Sequence, residues 1–345
     1  MSDFARRLVR WQARHGRHDL PWQGTRDAYR IWLSEIMLQQ TQVATVIPYY
    51  GRFLARFPDV ESLAAAELDD VLALWSGLGY YSRARNLHAA ARTVMKDHDG
   101  RFPREREALA SLPGVGRSTA AAIAVFAFGA REAILDGNVK RVLSRQFAVR
   151  GYPGEARVEA RLWALAESLL PERNAARYTQ ALMDLGAAVC TRARPACAEC
   201  PVSVSCKARA RGKVAAYPSP RPRKPLPVRN ATMLLLVDRG ELLLEKRPPT
   251  GVWGGLWCLP EMPENADPRE YCERRFGLRV ADSRRLAPLR HGFTHFTLDI
   301  VPVVCPVSAR APRLSEPGRL WVAREDAAQA AVPAVVRKLL ERTDV

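Results

Sequence analysis

From the start of the chain to about residue 206, apolar positions recur at intervals of three and four. Ala and Leu are abundant and strand-like alternation is scarce, a pattern that predicts a succession of helices. Phe4, Leu8 and Trp11 follow this spacing. The Arg-rich opening "MSDFARRLVRWQARHGR" has the composition of a transit peptide, but the acidic Asp3 and the helical spacing favour a first helix of the fold. Ala120 to Phe128 reads as a short, Ala-rich core helix. "IWLSEIMLQQTQ", Ile31 to Gln42, reads as a helix whose greasy half carries one carboxylate, Glu35, and which ends in a polar run. The texture changes after Lys207. Between Lys207 and Arg229 there are eight basic residues and no acidic one, and Pro218, Pro220, Pro222, Pro225 and Pro227 alternate. Alternating prolines cannot continue a helix and favour extended polyproline II, so this stretch is expected to be a stiff basic linker. Beyond it, "TMLLLVDRGELLLEKR" predicts two strands joined at Asp238-Arg239-Gly240, and "FTLDIVPVVCPV" predicts another. "PREYCERRF" and "PAVVRKLLER" are helical in pattern. The expected architecture is therefore a mainly α part, a linker and a smaller α/β domain.

Length and charge sharpen this. At 345 residues the chain has room for two or three domains with their own cores. No apolar run reaches the roughly 20 residues of a membrane span, so no membrane partner is expected. The formal net charge of +17 points to a polyanion, and nucleic acid is the usual one; phosphate attraction of this kind carries no sequence information.

Three clusters can carry chemistry. Four of the seven cysteines, Cys190, Cys197, Cys200 and Cys206, fall within 17 residues. So short a loop cannot hold two relaxed disulfides, and nothing suggests secretion, which leaves a metal. Structural zinc usually takes two close cysteine pairs. Here one pair is close and the outer ligands are spread, which suits a larger object such as a [4Fe–4S] cluster, with zinc as the alternative. Lys207, Arg209 and Arg211 follow, so such a loop can present fixed cations to phosphate. Cys258, Cys272 and Cys305 are scattered and read as small hydrophobes. Second, "LPGVG" precedes the Ala-rich helix: Gly114 and Gly116 can take positive φ, and a helix N-terminus offers free N–H groups to an anion. The same residues would also serve as a plain helix–helix turn. Third, Asp136-Gly137-Asn138 is a turn signal in which Asp136 can cap the next helix. Glu35 stands apart. Its helical neighbours include Ile31, Trp32 and Leu38, so burial should raise its pKa.

Taken in order, "LSEIMLQQTQV", "GLGYYSRARNLH", "LPGVG", "LDGNVKRVLSR" and the four-cysteine loop resemble the adenine DNA glycosylases of the helix-hairpin-helix (endonuclease III) superfamily. The resemblance spans the whole chain. It implies a helix-hairpin-helix glycosylase domain with an iron-sulfur loop over 190–206, in residues 1–212. It further implies a basic Pro-rich linker at 213–228 and a Nudix-like domain at 229–345. The implied activity is excision of adenine mispaired with 8-oxoguanine or guanine, by a cytoplasmic, nucleoid-associated monomer on double-stranded DNA, with a [4Fe–4S] cluster on the four cysteines. The lyases of the superfamily carry a nucleophilic Lys just after the hairpin. Ser118 stands there in this chain, and a hydroxyl cannot form an imine, so a monofunctional enzyme is expected. Lys140 could give weak adventitious lyase chemistry. By the resemblance Glu35 is the general acid, Asp136 faces the sugar cation as an ionised carboxylate, and Tyr80 and Asn138 line the site. Gly114, Val115, Gly116, Ser118 and Lys140 would contact DNA. Gln39, Gln40, Thr41 and Leu78, with Tyr80, would fill the space of the flipped base and hold its partner.

"GGLWCLPEMPENADPREYCERRFG" keeps the first half of a Nudix box, but Glu273 is followed by Arg274 where two glutamates are needed, and Gly277 comes one residue late. A Nudix-like shape without pyrophosphatase activity is expected, since an arginine there repels Mg²⁺. Phe293, Thr294 and His295 resemble the loop by which the family recognises 8-oxoguanine, with Thr294 where Ser is frequent. Three rivals remain at this stage: an endonuclease III-like lyase on oxidised pyrimidines, an inert DNA-binding module, and a Nudix hydrolase with a DNA-binding appendage. Ser118, Glu35 and Arg274 respectively argue against them.

Overall fold

The computed structural model describes residues 1–222, 225–310 and 317–341. Arg223 and Lys224 of the expected linker, residues 311–316 and the last four residues of the expected second domain lie outside the described residues. The chain divides into two compact units, one formed by Met1–Ala65 with Asn86–Arg223, the other by Ala66–Arg85 with Lys224–Val345.

The first unit is helical. It holds α1 (Asp3–His15), α2 (Ala28–Leu38), α3 (Val43–Arg56) and α4 (Val60–Ala65). After α5 (Leu68–Trp75) and the first turn of α6 (Ser82–Asp97), which belong to the second unit, it continues with the rest of α6. Then come α7 (Arg106–Ala110), α8 (Arg117–Phe128), α9 (Gly137–Gln146), α10 (Ala156–Leu169), α11 (Ala175–Asp184) and the short α12 (Lys207–Ala210). A π-turn at Leu185–Val189 extends α11. The periodicity is honoured: Phe4 and Leu8 of α1 enter a core with Leu135, Val139, Leu143, Leu162 and Leu182. The apolar alanines of α8 are buried, and small side chains let α2 pack closely on that helix. Helix ends follow local chemistry. Ser2 caps α1, Asp27 caps α2 by accepting from the Tyr29 and Arg30 N–H groups, and Gly129 closes α8 in the left-handed region at φ 72°. The start of the Pro-rich stretch is anchored in this unit. Tyr217 is buried, its carbonyl accepts from Arg145 Nε at 3.0 Å, and Ser219 Oγ accepts from the Gly151 N–H at 3.2 Å.

In the second unit, strands β1 (Val228–Asp238) and β2 (Glu241–Lys246) form the expected hairpin, with Arg239 and Gly240 both at positive φ. Next come β3 (Trp257–Cys258), β4 (Glu261–Met262), α13 (Pro268–Phe276), β5 (Leu278–Val280), β6 (Arg284–Arg285) and β7 (Leu289–Gly292). The chain ends with β8 (Thr297–Arg310), β9 (Arg319–Ala323), α14 (Arg324–Gln329) and α15 (Ala334–Leu340). The main path of the sheet is β3-β2-β1-β8-β5. β1 and β8 run parallel, from Val228 opposite Thr297 to Val237 opposite Pro306. Residues 232–236 of β1 are all buried, which explains why its sequence is a continuous apolar run rather than an alternation. Cys258, Cys272 and Cys305 are buried free thiols; Cys272 and Cys305 touch within the core that Phe276 and Leu236 share. Among the described residues no helix is long and apolar enough to cross a membrane.

Candidate active site

α2 places Glu35 at the wall of a cavity of about 650 Å³ in the first unit. Ile31 and Leu38, one turn on either side, share that wall, together with Trp22, Arg26 and Gln180. Glu35 keeps some exposed surface because it opens on this cavity. Protein nevertheless surrounds it closely enough to remove most of its hydration. Burial, with a smaller push from the charge of Asp136, raises its pKa from the ordinary 4.5 to about 8. Among the described residues no hydrogen bond or ion pair offsets that desolvation. Glu35 therefore holds a proton at neutral pH, as its apolar helical neighbours led one to expect.

Asp136 is the N-cap of α9: its Oδ1 accepts from the Val139 N–H at 2.7 Å, and its Oδ2 accepts from Asn138 Nδ2 at 3.4 Å. The cap and the candidate catalytic carboxylate are one group. Burial raises its pKa too, against the lowering by these hydrogen bonds and by the Arg141 guanidinium. The two acids are not pushed in opposite directions; they differ because Asp136 accepts hydrogen bonds and faces a cation, and Glu35 does neither.

Several supports were not legible in the sequence. Arg141 donates to Asn138 Oδ1 at 2.7 Å, to the Gly186 carbonyl at 2.6 Å and to the Cys190 carbonyl at 2.7 Å. A Cβ on Gly186 would stand 2.5 Å from Asn138 Cβ, so the π-turn carries glycine where it passes behind Asn138. Ser118 Oγ accepts from the Leu135 N–H at 3.0 Å and so ties α8 to the segment leading into Asp136.

The hairpin before α8 is half as expected. Gly114 takes φ 77°, and a Cβ there would meet Asn86 at 2.7 Å. Gly116 is instead extended at φ −86°, as the N-cap of α8, and no side chain caps that helix start, which leaves its N–H groups for an outside acceptor. Val115 is buried. Lys140 is paired with Glu159 at 2.6 Å. Gln39 ends α2, with its Nε2 3.4 Å from Thr119 Oγ1; Gln40 is exposed at φ 56°, and the Thr41 hydroxyl donates to the Gln39 carbonyl at 3.3 Å. Leu78 and Tyr80 belong to the second unit, where Leu78 is buried and Tyr80 is 47% exposed at φ 48°. Phe293, Thr294 and His295 form the turn between β7 and β8. Thr294 and His295 are exposed, and Phe293 stacks on Phe296 at 4.4 Å. Glu273 and Arg274 are both exposed on α13.

The four clustered cysteines are free, half-buried, and line one small pocket. Among the described residues no three potential ligands converge on a single metal ion. Tetrahedral zinc, with Zn–S near 2.3 Å, would draw its sulfurs to about 3.8 Å of one another. Burial first, and then the neighbouring thiols, push Cys200 up to about 11. Four half-buried thiols around one pocket suit a cationic guest with several binding positions. Arg145, itself buried, braces the loop. It donates to Cys190 Sγ at 3.3 Å and to the carbonyls of Thr191 and Arg192 at 2.7 and 3.1 Å.

Comparison with known proteins places these features. Residues 33–168 match the HhH-GPD superfamily of base excision DNA repair proteins, and residues 231–342 match the NUDIX domain. The adenine DNA glycosylase of Buchnera aphidicola (subsp. Acyrthosiphon pisum, strain APS) is 34% identical over 98% of this chain and 97% of its own length. That of Homo sapiens is 34% identical over 98% of this chain and 73% of its own. Among solved structures, a thermostable thymine-DNA glycosylase is 32% identical with a TM-score of 0.54, covering 60% of this chain and 95% of that one. An endonuclease III–DNA complex shares the fold at 20% identity and a TM-score of 0.52, covering 61% and 94%.

The packing behind Asn138 yields a test. Gly186→Ala should lower stability by about 1–3 kcal/mol through overpacking, whereas Gly137→Ala, where a Cβ meets open space, should not. Thermal melts of the two variants, read side by side, would show whether the π-turn is the constraint.

Proposed function

The chain belongs to the adenine DNA glycosylases, base excision repair enzymes that hydrolyse an N-glycosidic bond, and we propose that it acts as a monofunctional glycosylase on adenine opposite 8-oxoguanine or guanine. The observation that carries this reading is Glu35: an acid held protonated to about pH 8 at the wall of a cavity of about 650 Å³. Adenine must leave the duplex to be reached. Glu35 then protonates the base at N7 and makes it a good leaving group. The C1′–N9 bond breaks with its electrons going to the base, the sugar becomes oxocarbenium-like, and Asp136 faces that cation as a carboxylate while water adds to C1′ and gives up a proton that restores Glu35. Asn138 and Arg141 hold Asp136, and Tyr80 assists from the loop before α6. Whether Asp136 stabilises the cation or bonds to it transiently, its charge has the required sign.

In this reading residues 1–212 carry the chemistry, 213–228 join the parts, and 229–345 read the opposite base through Phe293, Thr294 and His295. The Gly114–Gly116 turn, Ser118 and Lys140 lie along the DNA phosphates, and Gln39, Gln40, Thr41 and Leu78 fill and hold the gap. Ser118 supports the monofunctional assignment doubly: its hydroxyl cannot form an imine, and it already accepts from Leu135. Cys190, Cys197, Cys200 and Cys206 would hold a [4Fe–4S] cluster whose role is to fix a loop that presents Lys207, Arg209 and Arg211.

The deciding assay is single-turnover cleavage of a duplex with adenine opposite 8-oxoguanine, with and without hot alkali, beside an oxidised-pyrimidine duplex. Breaks that need alkali and fall only on the adenine strand are expected. Breaks without alkali, or activity on the pyrimidine alone, would replace this reading with a lyase.

Glu35 sets the pH dependence. The rate should decline as pH rises through about 8, where the acid loses its proton. Because its folded pKa lies above 4.5, its contribution to stability is fully present below that pH and is lost as pH rises to about 8. Glu35→Gln should retain mismatch binding, lose adenine release by roughly 10²–10⁴-fold, and abolish this slope of stability with pH. A variant with near-native turnover would remove Glu35 from the acid role.

The cofactor assignment is read without activity. Purified protein should be brown, with about four iron per chain as a [4Fe–4S] centre demands; colourless protein holding one zinc would overturn it.

A further inference from the structure

The second unit contains both the exposed Thr294–His295 turn and the loop that displays Tyr80, and one continuous set of contacts joins them. Phe293 packs against Trp253 with ring centroids 5.5 Å apart. Trp253 is buried and held at φ 55°, a conformation that persists only where the surroundings fix it. The next residue, Gly254, has no room for a side chain: a Cβ would stand 2.6 Å from the Pro249 carbonyl oxygen. Its own carbonyl accepts from Arg85 Nη1 at 2.6 Å, and the Arg85 stem runs past Gly255.

Arg85 sits in the first turn of α6, and its N–H bonds back to the Tyr81 carbonyl at 3.1 Å. The other side of the loop is also tied down. The hydroxyls of Ser76 and Tyr81 both donate to the Val332 carbonyl at 3.2 Å, and Arg337 Nη2 donates to Ser76 Oγ at 2.7 Å. Between these anchors Arg83 donates to the carbonyls of Leu78 and Gly79 at 3.1 Å and lies 5.6 Å from the Tyr80 ring. Tyr80, itself in the left-handed region, is thus an exposed ring on a braced loop.

We propose that Arg85, through Gly254 and Trp253, is a positioning residue that couples occupancy of the 293–295 turn by the oxidised base to the placement of Tyr80. The inference rests on the reading of that turn as the opposite-base reader. It makes preference for 8-oxoguanine a property of the braced Tyr80 loop as well as of direct contacts. The role assigned to Arg85 runs through the Gly254 carbonyl and not through contact with a base.

The test is a double-mutant cycle on the full chain, read as the ratio of single-turnover rates on adenine opposite 8-oxoguanine and opposite guanine. Arg85→Met keeps the stem and removes the donor. It should lower the ratio by roughly fivefold or more, the scale of a coupling between two sites, with the rate opposite guanine little changed. Arg85→Lys, which keeps a donor, should restore most of the ratio. Arg85→Met combined with Thr294→Ala should have a ratio no lower than the weaker single variant, because contacts in one network do not add. Equal losses on both duplexes, full additivity or a native ratio in Arg85→Met would overturn the coupling. A native ratio in Thr294→Ala would instead sink the reading of the turn, and the coupling with it. If Arg85→Met does not fold, Trp253→Phe, which shortens the ring facing Phe293, carries the same comparison.

Discussion

The withdrawal of one carboxyl group from water is the constraint around which the first unit is organised. A solvated Glu35 would ionise near pH 4.5 and could not donate a proton at neutral pH. The protein removes its hydration by setting it one turn from Ile31 and Leu38, in a helix whose other faces carry the buried Trp32, Leu33, Ile36 and Met37. Such burial opposes folding whenever the group is charged, so the surrounding core must be dense enough to absorb it. Close packing of α2 on the alanines of α8 supplies that density. Among the described residues Glu35 has no hydrogen-bonding partner, which keeps its proton available to a ligand entering the cavity.

α9 solves the complementary problem of holding a carboxylate still. Its first residue position is capped by Asp136, and its last turns carry Arg141 and Arg145, which grip the cysteine loop through the carbonyls of Cys190, Thr191 and Arg192. A single ten-residue helix therefore connects the candidate catalytic carboxylate to the four-cysteine loop. Arg141 also reaches Asn138 and Gly186, so the π-turn after α11 is fixed by the same guanidinium. Loop, turn and carboxylate are positioned together.

Much of this was legible beforehand, for identifiable reasons. Glu35 announced itself because a charge among Ile, Trp and Leu contradicts a solvated helix face. The cysteines did so by spacing, and β1 and β2 by apolar runs around a glycine turn. What the sequence could not show depends on contacts between residues far apart in the chain. Ser118 reads as a missing lysine, yet its hydroxyl holds the Leu135 N–H seventeen residues on. Gly116 is a glycine with an ordinary extended backbone, so composition overstated its freedom. Arg141 and Arg145 lie inside the quoted stretch "LDGNVKRVLSR", but nothing in it separates a brace from an ordinary surface arginine, and Gly186 reads as any turn glycine. The residues of the α1–α2 connection that line the cavity have no periodicity to reveal them. The grouping of Ala66–Arg85 with the C-terminal unit runs against chain order.

The double use of Asp136 limits what can replace it. A side-chain acceptor at a helix N-cap is best supplied by Asp, Asn, Ser or Thr. Asparagine would still accept from the Val139 N–H and leave α9 intact, while carrying no charge to meet a sugar cation. Substitution there consequently uncouples folding from turnover. One side chain would then carry two separable duties, the capping one shared with asparagine and the electrostatic one not.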